Sequence, residues 1–216
     1  MSGIRARNSL QYPSFAEERT LEAQGYRYIA GVDEVGRGAL SGPVVAAAVI
    51  LPCRIDVPWL SLVRDSKQLT PVRRELLFGH IHKEAVAIGV GQASCGIIDT
   101  RGIIEATRLA MKLAIDQLVP PSDYLLVDYM SLPEVPLPQK GIKNGDSLCF
   151  SIACASIIAK VTRDRLMMEF DRTYPGYEMA RHKGYGTREH LTCLHRLGPS
   201  PIHRQSFKPV RGVMVR

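Results

Sequence analysis

Two adjacent acids, Asp33 and Glu34, stand just ahead of Gly36-Arg37-Gly38, at the end of a strand-like run that begins at Tyr26. Residues 26–32 alternate and are rich in strand formers, so a strand is expected there. Neighbours on a strand point to opposite faces. The two carboxylates can therefore meet on one target only if the chain bends between or just after them. Gly36 and Gly38 supply that bend, since glycine accepts positive φ at little cost. They also leave the backbone bare, so its N–H groups can approach a ligand closely. Arg37 adds a planar cation suited to phosphate. Acids for a metal, bare backbone and an arginine make a sensible arrangement for cutting a phosphodiester. A solvated acidic turn has the same composition, and the rest of the chain must choose between them.

The chain of 216 residues is long enough for one domain with a real core, and its 45% hydrophobic and 23% charged content is that of an ordinary globular protein. One domain over residues 1–216 is expected, with a catalytic α/β core to about 172 and a basic helical segment from about 173. The five cysteines include no C-x-x-C pair. Neither a disulfide framework nor a thiolate zinc site is indicated, and a reducing cytoplasm is the expected setting. Residues 1–19 lack an apolar signal-type core, and the longest apolar run, residues 44–51, is too short to span a bilayer. That run reads as a fully buried strand.

The net charge of +7 is concentrated at one end: residues 181–216 carry eight cations and one acid, whereas the first 180 residues are balanced. Four of the six histidines also lie there. A neutral body with a basic C-terminal segment suggests a polyanionic partner, with nucleic acid foremost; a basic tail tuned for solubility is the alternative.

Along the chain, residues 14–24 form an expected helix with Ser14 as N-cap, Glu17 as its capping-box partner and Gly25 as its stop. The short link after residue 38 makes residues 44–51 an antiparallel partner of the first strand. Thr70 and Pro71 open a helix to about residue 87, with Leu76, Leu77, His80, Ile81 and Val86 expected on its inner face. A third strand over residues 88–94 is weakened by its glycines. A helix over residues 102–118 is expected to bury Ile103, Ile104, Leu109, Leu113 and Ile115. Residues 124–128 form an apolar strand ending in Asp128 and, arriving after a helix, should run parallel to an earlier strand with its C-terminal end near the first acidic loop. Residues 139–143 offer a short fifth strand, and Asp146 sits in the turn beyond. Residues 151–172 form a long helix with Ile152, Ala155, Ala159, Leu166 and Phe170 as its stripe, and a short helix covers 189–197.

Asp33, Glu34, Asp128 and Asp146 thus all stand at strand ends or loops. Hard oxygen ligands of this kind suit Mg²⁺ or Mn²⁺, and two such ions ~3.5–4 Å apart can activate water and stabilise a leaving oxygen. Spacing alone does not bring the four together. Asp65 and Asp164 are equal candidates by composition, although a helical acid such as Asp164 more often serves as a surface ion-pair partner. No phosphate-binding G-x-x-x-x-G-K-[ST] loop is present.

The segments GVDEVGRG (31–38), DSKQL (65–69), Val127-Asp128, Gly145-Asp146, SIIAKVTRD (156–164), HKGYGT (182–187) and PIHRQSF (201–207) occur in that order. Together they resemble bacterial ribonuclease HII, the type 2 ribonuclease H, over about residues 15–211. The resemblance implies an α/β fold of ribonuclease H type, a mixed five-stranded sheet flanked by helices with a C-terminal helical part. It implies an endonuclease that cuts the RNA strand of RNA–DNA hybrids, and a monomer is expected, although the sequence does not fix the oligomeric state. It further implies incision 5′ to single ribonucleotides embedded in duplex DNA, leaving 3′-hydroxyl and 5′-phosphate ends. By motif match, Asp33, Glu34, Asp128 and Asp146 are the metal-binding acids. Gly36, Arg37 and Gly38 sense the ribose 2′-hydroxyl, Tyr185 stacks on the deoxyribose past the RNA–DNA junction, and Lys67 contacts phosphate. The 2′-hydroxyl is what tells RNA from DNA locally, and only a bare backbone can reach it closely. Glycine is usual after the third acid in this family, where this chain has Tyr129, so the loop beside Asp128 is the point of departure. The Gly-Arg-Gly run argues for type 2 over type 3 enzymes. A hybrid-binding protein without catalysis and another metal-dependent nuclease on the same fold are the rival readings.

Overall fold

The computed structural model describes residues 12–214. The leader reading of residues 1–19 falls mostly outside that range, as does the cation Arg216. Helix α1 (Ala16–Ala23) leads into β1 (Ile29–Val35) and β2 (Val44–Ile50). Then come α2 (Pro71–Glu84), β3 (Ala87–Ala93), α3 (Cys95–Ile115), β4 (Tyr124–Asp128) and β5 (Gln139–Ile142). Helices α4 (Phe150–Thr173), α5 (Met179–His182), α6 (Arg188–Leu197) and α7 (Lys208–Met214) complete the chain.

The five strands form one mixed sheet in the order β3-β2-β1-β4-β5. β1 is antiparallel to β2, β2 to β3, while β1, β4 and β5 run parallel. Both relationships expected for β1, antiparallel to the next strand and parallel to residues 124–128, are present. Helix α3 covers one face of the sheet through Ala106, Ala110, Met111 and Ala114. Helices α2 and α4 cover the other through Leu77, Ile81, Ala155 and Ile158. A strand sandwiched between two such layers has no polar face, which is why every residue of β2 is buried.

Several boundaries differ from the sequence expectation, each for a local reason. β1 starts at Ile29 and runs through both acids, because Asp33 and Glu34 pair in the ladder opposite Ala47 and Ala46. The cap of α1 is Phe15, and no side chain closes it; Glu17 instead reaches Lys140 at 2.7 Å. Thr70 does cap α2, its oxygen accepting from the Arg73 amide at 3.3 Å, but the helix ends at Glu84, and Leu76 and Val86 are exposed. α3 begins seven residues earlier than expected, at a Ser94 cap, and bends at Gly102, whose φ is +79°. The resulting stripe is Ile98, Ala106, Ala110, Met111 and Ala114, leaving Ile104 and Leu113 exposed. Its small residues let the helix approach β3, whose glycines face it: a Cβ on Gly91 would stand 2.1 Å from the Ala110 carbonyl oxygen. Glycine in this strand marks helix contact rather than a weak strand.

The basic C-terminal segment packs into the body. Leu194 and Val210 bury against Leu40, from the link between β1 and β2. That link runs between two C-terminal stretches: the Leu40 amide donates to the Gly184 carbonyl at 2.8 Å and the Gly42 amide to that of Ile202 at 2.8 Å.

Candidate active site

The parallel register of β1 and β4 pairs Val32 with Val127. One residue further along, Asp33 and Asp128 stand side by side at the carboxyl ends of adjacent strands, about 4.8 Å apart in backbone. Active sites of open α/β sheets gather at such ends. Asp146 arrives from the turn after β5, a 3-10 segment spanning Gly145–Ser147. Asp128 holds that turn in place, its Oδ1 accepting from the Gly145 amide at 2.7 Å. Asp33 is buried, and its Oδ1 accepts from the Glu34 amide at 2.7 Å.

Glu34 lines a cleft of about 420 Å³ together with Ser66, Lys67, Ser156, Lys160 and Tyr185. The strand stops at Val35, and Gly36 follows with φ +93°. A Cβ there would also lie 2.2 Å from Arg163 Nε, so the position is closed to any other residue. Gly38 is different. It is exposed, has ordinary φ, and nothing stands within 4 Å of the place a Cβ would take. No protein contact requires glycine there, and its backbone is open to solvent.

The electrostatics of the cluster are those of crowded anions. Burial pushes the Asp33 carboxyl well above the usual range, and Glu34 and Asp128 push it further. Burial also raises Glu34, against the opposing pull of Arg37, whose Nη1 lies 3.4 Å from Glu34 Oε1. Asp128 is raised by burial against the Gly145 amide, and Asp146 by burial and by Asp65. Burial lowers the Lys67 ammonium, but Asp65, Asp146, Asp33 and Asp128 outweigh it and raise it overall. Lys67 Nζ sits 3.7 Å from Asp146 Oδ2. Among the described residues, no three acid, histidine or cysteine side chains stand close enough together to hold a metal ion as they are placed. Carboxylates this close raise one another's proton affinity, and Lys67 and Arg37 offset part of that effect. An all-oxygen, all-anionic donor set with elevated proton affinity fits a hard divalent cation.

Tyr185 is half-buried on the wall of the same cleft. Its backbone bridges to Ala39, and its carbonyl accepts from His190 Nδ1 at 3.0 Å. The acids, the Gly36–Gly38 loop, Lys67 and Tyr185 therefore share one end of the sheet. Asp164, expected as an ion-pair partner, pairs with Lys160 at 2.7 Å and Arg74 at 3.8 Å. Tyr129 adopts φ +60°, a left-handed backbone, and its ring is 69% exposed. The bulk that replaces glycine beside Asp128 points to solvent and leaves the acids uncrowded.

Asp65, an equal candidate by composition, joins the cluster through the turn Ser66–Gln68, its carboxylate accepting from the Lys67 amide at 2.9 Å. Other contributors have no role in the sequence reading. Ser156 of α4 bonds to Ser66 across 2.9 Å. Arg163 and Arg204 are wholly buried behind the glycine loop. An arginine framed by apolar helix positions, as Arg163 is between Val161 and Met167, was the available signal. Arg204 also corrects the reading of the C-terminal cations, since it is turned inward and cannot meet a phosphate; Arg188, Arg196, Lys208 and Arg211 remain exposed.

The sheet order, the helices on both its faces and the acidic floor at the strand ends define an enzyme of the ribonuclease H class. The crystal structure of ribonuclease H2 from Pyrococcus horikoshii OT3 superposes with a TM-score of 0.73 at 25% identity, covering 88% of this chain and 98% of that one. A ribonuclease HIII, Bst-RNase HIII in complex with Mn²⁺, shares the fold at a TM-score of 0.59 and 18% identity, over 87% and 69% of the two chains. Residues 30–210 match the family model for ribonuclease HII. A ribonuclease HII of Dehalococcoides mccartyi is 57% identical over 202 residues, 94% of this chain and 95% of that protein. The chain belongs to the ribonuclease HII family.

Proposed function

We propose that the chain cuts the RNA strand of RNA–DNA hybrids and incises 5′ to a single ribonucleotide embedded in duplex DNA, leaving 3′-hydroxyl and 5′-phosphate ends. The observation that carries this is the shared cleft. Glu34, Lys67 and Tyr185 line it together, and Asp33, Asp128 and Asp146 stand at the same end of the sheet, which supports reading the four acids and the Gly36–Gly38 turn as one site. Asp33, Glu34, Asp128 and Asp146 would hold Mg²⁺ or Mn²⁺, two ions in the full site. Such ions, when bound, lower the pKa of an attacking water and neutralise charge on the departing 3′-oxygen. The protein's own groups do the rest. Lys67, at the rim, meets a substrate phosphate, and Arg37 brings a second cation beside Glu34. The amides of Arg37 and Gly38 read the ribose 2′-hydroxyl, which is both donor and acceptor. The Tyr185 ring packs on the next sugar, where a further 2′-hydroxyl would have no room, and so selects a junction.

Exposed cations of the C-terminal segment hold the duplex from outside the cleft. The core and that segment act as one functional unit, in this reading a cytoplasmic monomer with no membrane role. Among the described residues, no helix is long and apolar enough to cross a membrane, and all five cysteines are buried free thiols, in keeping with a reducing compartment.

The test uses a duplex carrying one ribonucleotide and an all-DNA duplex of the same sequence, each with and without Mg²⁺. Cation-dependent cutting of the first alone, on the 5′ side of the ribonucleotide, is expected. Cutting of both, or of neither, would sink the reading.

A further inference from the structure

We infer that Arg163 and Arg204 are positioning residues that aim the amides of Arg37 and Gly38 at the substrate and fix their distance from Tyr185. They thereby set discrimination between ribose and deoxyribose. The inference rests on the reading of that loop given above.

Both guanidinium groups are fully buried, and among the described residues neither has a carboxylate within ion-pair distance. Burying a charge this way is costly unless all its donors are satisfied. Here every partner is a backbone carbonyl. Arg204 Nη2 donates to the Gly36 carbonyl at 2.7 Å and to that of Gly42 at 2.8 Å. Its Nη1 donates to the Arg37 carbonyl at 2.8 Å and its Nε to that of Gly42 at 3.0 Å. Arg163, from α4, takes the other half of the region. Its Nε donates to Pro43 at 2.9 Å, Nη2 to Ser41 at 3.0 Å and Nη1 to Lys183 at 2.8 Å.

A trans peptide points its N–H opposite its C=O. The carbonyls of Gly36 and Arg37 both turn inward to one guanidinium. The amides of Arg37 and Gly38, the other halves of those peptides, must therefore turn outward. Neither has an acceptor among the described residues. Two unpaired donors, side by side on a turn exposed at Gly38, are thus held in a fixed direction by a planar fork behind them. Arg163 ties the same block to Lys183, two residues before Tyr185. The Leu40 amide adds its bond to Gly184, and Ala39 bridges to Tyr185. The reader of one sugar and the ring packed on the next are therefore parts of one rigid unit. A lysine keeps the charge at either position but cannot span the same carbonyls with a fork.

The experiment compares the wild type, Arg204→Lys and Arg163→Lys in Mg²⁺. KM is measured on the single-ribonucleotide duplex, and Ki for the all-DNA duplex of the same sequence as competitor. The ratio of Ki to KM does not depend on how much of a preparation is folded, so a merely structural defect leaves it unchanged. It should fall about tenfold in each variant, the loss of roughly one well-aimed hydrogen bond, with Ki itself within twofold of wild type. A ratio within twofold of wild type in both variants overturns the inference while leaving the junction reading intact. A wild-type ratio near one overturns the junction reading itself. Should neither variant fold, side-chain NMR of the wild type decides. The Arg204 Nε–H signal should shift on adding the ribonucleotide duplex and stay fixed with the DNA duplex, and an equal response to both refutes the coupling.

Discussion

His203 Nε2 lies 3.0 Å from His190 Nε2, and neither ring has room for an extra proton. The Ser200 amide donates to His203 Nδ1 at 2.9 Å, so the proton of His203 sits on Nε2 and points to His190. His190 then carries its own proton on Nδ1, directed to the Tyr185 carbonyl. His182 stacks on His190 with ring centroids 4.2 Å apart, its Nδ1 accepting from the Gly184 amide. A chain of neutral imidazoles thus underlies the turn that carries Tyr185.

That chain makes the fold acid-sensitive in a defined window. Burial, with a neighbouring histidine in each case, lowers His190 and His203 from 6.5 to about 4. The unfolded chain takes up these protons near pH 6.5, whereas the folded chain refuses them until about pH 4. Their contribution to stability is therefore complete above pH 6.5 and is lost as pH falls towards 4. At pH 5 these two histidines should add uptake of about two protons to unfolding, against the protons released by the raised carboxyls of Asp33, Glu34, Asp128 and Asp146. Between pH 7 and pH 5 the urea midpoint of His203→Gln should therefore fall less, or rise more, than that of the wild type. A midpoint equally steep in the variant would refute the assignment.

Asp33→Asn should lower Mg²⁺-dependent cleavage by about a thousandfold or more, because no neighbouring group can replace a buried carboxylate at the centre of the floor. The same change should raise stability by about 1 kcal/mol, since it removes repulsion with Glu34 and Asp128 while Oδ1 keeps its bond to the Glu34 amide. Single-turnover assays and denaturant melts check the two halves separately.

Lys67 has a side chain 76% exposed at the rim of the acids. Lys67→Ala should leave stability within about 0.5 kcal/mol. It should weaken hybrid binding and reduce the slope of log affinity against log salt by about 0.9, the signature of one lost phosphate contact. Binding titrations at several salt concentrations measure this; an unchanged slope removes Lys67 from the phosphate contacts.

Tyr129→Gly should stabilise the protein by roughly 0.5–1 kcal/mol, because relief of the left-handed strain exceeds the extra freedom glycine brings to the unfolded chain. Cleavage should change little, the ring being outside the cleft. A thermal melt and a rate measurement suffice, and a destabilised variant would mean that the exposed ring makes a contact of its own.

The sheet was legible because its strands are short apolar runs punctuated by glycine and proline, and β4 in particular ends on an acid where the pattern breaks. The floor was legible because Asp33, Glu34, Asp128 and Asp146 each stand at such a break. What periodicity could not reveal was side-chain traffic between distant segments. Arg204 reads as one more cation in a basic segment, yet it faces inward to carbonyls more than 160 residues earlier. The sequence points to Gly102 as the start of α3, whereas Gly102 is a bend inside a helix that begins at Cys95. Asp65 opens the DSKQL segment, yet only the folded turn places its carboxylate against the Lys67 amide.

Because Arg204 braces a loop near residue 36, the acidic end of the sheet depends on a segment made more than 160 residues later. During synthesis the acids, the glycine turn and the tyrosine wall would all have left the ribosome before the guanidinium that orders them. A growing polypeptide would carry every reactive group of the nuclease and still lack its aim, so cutting competence should arrive late and abruptly instead of building up with length.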